Sequence, residues 1–289
     1  MKTKQKLLIV GGDERFISSA EKFSQDYETY AMGFTREQIP DENIHLCEMK
    51  SIPVCDVVIL PVPVSIDGVH VNAPFWEKSI PLEDLIPYFK KDAVIYGGKF
   101  NGTKKLFENA GFSVNDYANH EEFSIRNAVP TSEGALQILM KEMPITIDKS
   151  HILVLGFGRI GSYLAKILHA LGANVTVVAR KPEVLAKAEQ MGCDAVNFDK
   201  LPEIISKMDA ICNTVPVVVL NGDVLKKVNQ GAVILDLASR PTGGTDFTKA
   251  NALGIKTIWA LGLPAKVAPV TAGEIITQTI ITMQKERGE

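Results

Sequence analysis

The run His151-Ile152-Leu153-Val154-Leu155-Gly156-Phe157-Gly158-Arg159-Ile160-Gly161 decides the fold. Ile152 to Leu155 are apolar and read with His151 as a buried strand, bounded at once by glycine. Residues from Arg159 to Leu171 then follow a helical period. GxGxxG alone is weak evidence in a chain with 22 glycines. Between a strand and a helix each glycine has a physical task. Gly156 permits the tight turn, Gly158 lets backbone approach a pyrophosphate, and Gly161 allows close helix–strand contact. The helix start then offers N–H groups and a favourable dipole to phosphate. Gly156, Gly158, Arg159, Ile160 and Gly161 are therefore the expected coenzyme contacts, against the plainer reading of packing glycines at a helix turn.

The second strand, Asn174 to Val178, bears on which coenzyme. NAD-binding domains usually end this strand with an acid for the ribose hydroxyls. Here it runs into Ala179-Arg180-Lys181, and the first acid is Glu183. Arg180 can take a 2′-phosphate in a charge-assisted fork and Lys181 adds charge, so NADP is favoured over NAD. The alternative is a solvated strand end. Later strands are expected at Ala210–Asn213, Ala232–Leu237 and Lys256–Trp259. The loops after them face the end of the sheet where ligands bind. Thr214, Val215, Pro216 and Ser239 are the expected coenzyme contacts there, although proline and glycine serve ordinary turns equally well.

Outward from this half, the first 130 residues repeat the strand–helix alternation: Lys6 to Val10, a strand around Tyr30, Val57 to Leu60, Ala93 to Tyr96, and a helix over Thr103 to Asn109. The expected fold is α/β with two Rossmann-like domains, the C-terminal one a doubly wound parallel sheet. The expected division is 1–130 for an N-terminal substrate domain, 131–147 for a connecting helix, and 148–270 for the NADP-binding domain. A final helix over 271–287 is expected to complete the first domain. The connector is read as starting at Pro130-Thr131-Ser132-Glu133, a hydroxyl cap before an acidic turn.

Composition narrows the classes. A chain of 289 residues with net charge -3, 46% hydrophobic and 22% charged residues is ordinary for a globular protein, and nothing in it favours nucleic acid as a partner. No apolar run approaches the ~18 residues of a membrane span. The apolar run Leu7–Val10 is too short for a signal segment. Cys47, Cys55, Cys193 and Cys212 lack zinc or redox spacing and read as buried thiols in a reducing cytoplasm, with no metal site.

Several longer runs carry a resemblance. Ile234-Leu235-Asp236-Leu237-Ala238-Ser239-Arg240-Pro241, then Gly243-Gly244-Thr245-Asp246-Phe247, resembles the family of the A-type subunit of dipicolinate synthase. So do Gly262-Leu263-Pro264, Ala268-Pro269, Thr271-Ala272-Gly273, the opening Val10-Gly11-Gly12-Asp13 and the segment Asn127 to Gly134. The similarity spans nearly the whole chain, with Thr242 departing from the family pattern. It implies an NADP-dependent oxidoreductase that forms dipicolinate from a dihydro- or hydroxytetrahydro-dipicolinate intermediate of the lysine pathway, for endospores. It also implies the B-type subunit of dipicolinate synthase for a partner and the mother-cell cytoplasm for location.

A dicarboxylate substrate needs cations or hydroxyls. Arg240 is the first expectation for substrate binding, then Thr131, Ser132 and Lys266, with Arg126 behind them. Arg240 as a bridge to Asp246, and Thr131 as a simple helix cap, are the plainer readings. No proton carrier stands out, and His120 beside Glu121 and Glu122 is the one candidate. A homo-oligomer is the base-rate expectation. The alternatives are a non-catalytic NADP-binding regulatory module and another two-domain dehydrogenase of small carboxylates. A 2-hydroxy-acid dehydrogenase is disfavoured because Trp259 to Pro269 contains no histidine.

Overall fold

A computed structural model describes residues 4–239 and 243–288; Arg240, Pro241 and Thr242 lie outside the description. The chain divides into two compact units, Met1–Asn127 with Ala268–Glu289, and Ala128–Val267.

In the first unit the chain runs β1 (Lys6–Val10), α1 (Glu14–Phe23), β2 (Glu28–Met32), β3 (Ile44–Leu46), β4 (Cys55–Ile59), β5 (Phe89–Gly97), α2 (Lys104–Asn109) and β6 (Ser113–Asp116). Helix α3 (Glu121–Glu142) carries it into the second unit. There it continues as β7 (His151–Leu155), α4 (Arg159–Ala170), β8 (Asn174–Val178), α5 (Pro182–Gln190), β9 (Asp194–Val196), α6 (Leu201–Ile204), β10 (Ala210–Asn213), α7 (Gly222–Leu225), β11 (Val233–Asp236), α8 (Phe247–Ala252), β12 (Lys256–Trp259) and α9 (Leu263–Val267). Helix α10 (Pro269–Glu286) belongs again to the first unit.

Each unit has one six-stranded sheet, ordered β3-β2-β1-β4-β5-β6 and β12-β11-β10-β7-β8-β9. Every named strand pair is parallel. Counted within its unit, each sheet follows the same 3-2-1-4-5-6 winding. The direction of winding reverses between β1 and β4, and between β7 and β10. Ligands of open α/β sheets bind outside the carboxyl ends of the strands at such points.

The apolar run of β7 is continuous because both faces are covered. Ile152 and Val154 join one core with Leu164 and Leu168 of α4 and Ala135 and Leu139 of α3. Leu153 and Leu155 join the opposite core with Leu201, Leu220, Leu225 and Ala250. In the first unit, Ile275, Ile276 and Ile280 of α10 share a core with Phe16, Ala20 and Phe23 of α1. The two helices pack so closely that a Cβ on Gly273 would stand 2.2 Å from the Arg15 carbonyl oxygen.

One reading is corrected. The connector does not begin at Thr131: α3 starts at Glu121 and passes through Pro130. Proline removes one backbone hydrogen bond from a helix interior. Burial of Ala128, Thr131, Ser132, Ala135 and Leu139 outweighs that loss. The strands β3, β6 and β9 carry no signal of their own. They are short edge strands reading IHL, SVND and DAV, without the apolar run of a central strand.

Candidate cofactor site

The glycine turn sits at the carboxyl end of β7, at the winding reversal of the second sheet. Gly156 has φ +89°, which an L side chain resists, and its N–H donates to Val178 O at 2.9 Å. Just past β10, Thr214 donates its backbone N–H and its Oγ1 to Leu155 O, at 2.9 and 2.8 Å. A Cβ on Gly156 would lie 2.6 Å from that Oγ1. Thr214 thus braces the turn from beneath. A Cβ on Gly161 would lie 2.2 Å from Gly156 O, so α4 can approach the turn only with glycine there.

Gly158 is different. It caps α4 in an extended conformation, no side chain caps the helix, and nothing lies within 4 Å of where its Cβ would be. The start of α4 therefore presents backbone N–H groups to open space, with the helix dipole behind them. This is a cradle for an anion approaching backbone, and it fits the pyrophosphate of a dinucleotide. Arg159 is exposed on the first turn of α4, and Ile160 is partly buried beneath it.

At the end of β8, Arg180 and Lys181 are both exposed. The strand end is held by Ala179 N–H donating to Val196 O at 3.2 Å, and Asn197 Nδ2 reaches Arg180 O at 3.4 Å. The nearest acid along the chain, Glu183, belongs to the first turn of α5.

The loops after β10 and β11 are tied together by a residue that sequence reasoning left unassigned. Asp236 is fully buried. Its Oδ1 accepts from Asn213 Nδ2 and Ala238 N–H, each at 3.0 Å. Its Oδ2 accepts from Gly244 N–H at 2.8 Å and Thr245 Oγ1 at 2.7 Å. Asn213 in turn bonds both backbone groups of Val215, at 3.1 Å each. One carboxylate thus anchors the chain where it leaves β11 and where it returns at Gly244. A Cβ on Gly244 would lie 2.0 Å from Asn213 Nδ2, which accounts for glycine at that position. Trp259 Nε1 donates to Ala238 O at 2.8 Å and its ring stacks on Phe247, bracing the same segment. The signal was available: an acid inside the apolar run Val233-Ile234-Leu235-Asp236-Leu237 needs several donors to be buried at all.

The structure thus brings Gly156, Gly158, Arg159, Ile160, Gly161, Arg180, Lys181, Thr214, Val215, Pro216 and Ser239 to the carboxyl ends of β7, β8, β10 and β11. The expected substrate contacts scatter. Arg240 lies outside the described residues. Thr131 and Ser132 are buried in mid-helix, and Ser132 Oγ donates to Ile160 O at 3.4 Å. Lys266 is exposed on α9. Arg126 pairs with Glu122 at 2.8 Å, one helical turn away. His120 belongs to the first unit, where its Nε2 faces Glu286 Oε2 at 3.4 Å. Among the described residues no cluster of His, Cys, Asp or Glu is arranged for a metal ion, and no helix is long and apolar enough to cross a membrane.

The family model for the N-terminal domain of the A-type subunit of dipicolinate synthase matches residues 6–118. The chain is 34% identical to the A-type subunit of dipicolinate synthase from Bacillus subtilis, over 99% of its own length and 98% of that protein's. It belongs to this dipicolinate synthase family. A crystal structure of the B. subtilis A chain superposes with a TM-score of 0.89 at 33% identity, covering 100% of this chain and 99% of that one. The corresponding structure from Bacillus halodurans gives 0.86 at 30% identity, covering 97% and 98%. Residues 128–240 match the NAD-binding domain of D-isomer-specific 2-hydroxyacid dehydrogenases. This family member is therefore an oxidoreductase of the dehydrogenase class with a nicotinamide-dinucleotide domain.

Proposed function

We propose that this chain is an NADP-dependent dehydrogenase that forms pyridine-2,6-dicarboxylate from a dihydro- or hydroxytetrahydro-dipicolinate precursor. The observation that carries the reading is the open, uncapped glycine turn at the second sheet's winding reversal, in a chain that matches its dipicolinate synthase relative from end to end. Arg180, exposed where an NAD-binding domain usually carries an acid, supports NADP.

The start of α4 holds the pyrophosphate, and Arg180 with Lys181 takes the 2′-phosphate. The loops at Thr214–Pro216 and Ser239 border the nicotinamide end. When bound, the oxidised nicotinamide supplies a hydride acceptor. The dihydro precursor loses one ring hydrogen as hydride and one as a proton, and the ring becomes aromatic. The hydroxylated precursor first loses water, a step an acid assists. Aromatisation drives the reaction, so a strong base is not required. Arg240 is our assignment for a substrate carboxylate, Lys266 is second, and His120 is the proton carrier we would test. Ser132, directed to the Ile160 carbonyl, we assign to helix packing. We infer that a B-type subunit is the partner, because the relatives are named as one subunit of the synthase. A homo-oligomer in the cytoplasm of a sporulating cell fits the same reading.

The test supplies the purified chain with NADP⁺ and freshly made dihydrodipicolinate, with and without the B-type partner. NADPH appearance coupled to pyridine-dicarboxylate absorbance supports the reading. Tight NADPH binding with no product in either mixture replaces it with a non-catalytic binding module.

A further inference from the structure

We propose that Arg15 forms a carboxylate-binding site in the first unit, taking one carboxylate of a small dicarboxylate. The inference rests on the dehydrogenase reading for the identity of that ligand, and on geometry for the site itself.

The first sheet repeats the winding of the second, so its own reversal, between β1 and β4, is where a ligand is expected. The turn there, Gly11-Gly12-Asp13, looks like a second phosphate loop and is not one. Gly11 N–H donates to Met32 O at 2.8 Å, as Gly156 N–H does to Val178 O in the coenzyme turn, but Gly12 N–H is also taken, by Asn72 O at 2.9 Å. Asp13 caps α1, placing a carboxylate where a pyrophosphate would have to sit. The Gly12 N–H is occupied, and the Asp13 carboxylate repels a polyanion.

Arg15, in the first turn of α1, remains. It is 9% exposed. Its Nε donates to Asp13 Oδ1 at 2.7 Å, and its Nη2 donates to Asp13 Oδ2 at 2.8 Å and to Val62 O at 3.0 Å. These bonds use the Nε hydrogen and both Nη2 hydrogens. Nη1 makes no hydrogen bond among the described residues, and it is not one of the buried unpartnered atoms. A nearly buried guanidinium is thus locked in orientation with one nitrogen, carrying two donors, left without a hydrogen bond and not fully enclosed. Its backbone is locked too: Arg15 O accepts from Ser19 Oγ at 3.1 Å and packs against Gly273.

The surroundings set the ligand class. Asp13 balances the charge of Arg15. Asp116, which with Arg15 and Asp13 surrounds the buried Tyr117, is engaged by Lys99 N–H, Ala118 N–H and Asn119 Nδ2. Arg15, Asp13 and Asp116 together carry one net negative charge, so a ligand is recognised here by hydrogen-bond geometry at Nη1 and not by charge, which suits a single planar carboxylate.

The experiment titrates dipicolinate, glutarate and inorganic phosphate into the full chain and its R15K and R15Q variants by calorimetry, with NADPH as control. Wild type binds dipicolinate, phosphate does not compete, and both variants lose about 10–100-fold in dicarboxylate affinity, the loss of a charge-assisted bond. NADPH affinity stays within about two-fold. A folded R15Q with wild-type dicarboxylate affinity overturns the proposal, as does a wild type that binds neither dicarboxylate. Should the variants fail to fold, the Arg15 Nε resonance of ¹⁵N-labelled wild type decides: a shift on adding dipicolinate supports the site, and none overturns it. Arg15-dependent binding in a protein that makes no product, with or without its partner, sinks the dehydrogenase reading and leaves this one standing.

Discussion

Gly158→Ala and Gly161→Ala differ by one methyl group at neighbouring glycines, yet the structure predicts opposite consequences for the fold. At Gly158 nothing lies within 4 Å of the new Cβ, and the backbone there, φ -82° and ψ -159°, suits alanine. Alanine is a poorer helix cap than glycine by some tenths of a kcal/mol to about 1 kcal/mol, and it gains about 0.4–1 kcal/mol by restricting the unfolded chain. The two offset each other, so the melting temperature without ligand stays within about 2 °C. The methyl does occupy the space over the turn where a pyrophosphate meets backbone. Loss of two charge-assisted hydrogen bonds at about 1.5–3 kcal/mol each weakens NADPH by about 10²–10⁴-fold. At Gly161 the new Cβ stands 2.2 Å from the Gly156 carbonyl oxygen, and contacts below 3.0 Å are essentially never observed. Helix and turn must separate by roughly 1 Å, an overpacking strain of about 1–3 kcal/mol. Gly161→Ala therefore lowers the melting temperature of ligand-free protein by about 3–10 °C and weakens NADPH as well. Scanning calorimetry reads the first quantity and fluorescence titration the second. A Gly158→Ala protein that binds NADPH as wild type does would refute the placement of the pyrophosphate over this turn.

Arg180→Ala should raise the NADPH dissociation constant about 10-fold or more while NADH binding changes little; equal effects on both would remove the 2′-phosphate role. Thr245→Val deletes one donor to the buried Asp236 carboxylate and keeps the side-chain shape. Its expected loss of about 1.5–3 kcal/mol, read by denaturant titration, is restored by Thr245→Ser, which keeps the hydroxyl. Burial pushes the Cys47, Cys55 and Cys212 thiols up to about 12. An unfolded thiol ionises near pH 8.5–9, so the folded state binds more protons above that pH and stability falls as pH rises from about 9 toward 12. Melting temperatures between pH 8 and 11 check the sign, and a thiol that alkylates rapidly at pH 8 in native protein would contradict the burial.

The winding units and the coenzyme turn are legible in the amino-acid order, because both are local. An apolar run covered on two faces, a glycine with positive φ, and an uncapped helix start are written in consecutive residues from His151 to Gly161. The end of β8 was legible for the same reason: Arg180 follows its strand directly. Edge strands such as Asp194-Ala195-Val196 were not legible, since their pairing is supplied by neighbours rather than by their own side chains. Packing, not local sequence, puts Pro130 inside α3, because burial along that helix outweighs one missing backbone bond. It alone separated two similar glycine turns. The one after β7 is open at Gly158, while the one at Gly11-Gly12 is closed by Asn72, some 60 residues away along the chain. Asp236, Asn213 and Thr245 became one network, and Arg15 became a locked guanidinium, only when strands far apart in sequence came side by side. Partners of a buried charge are set by the fold, so the charge is visible in the sequence and its partners are not.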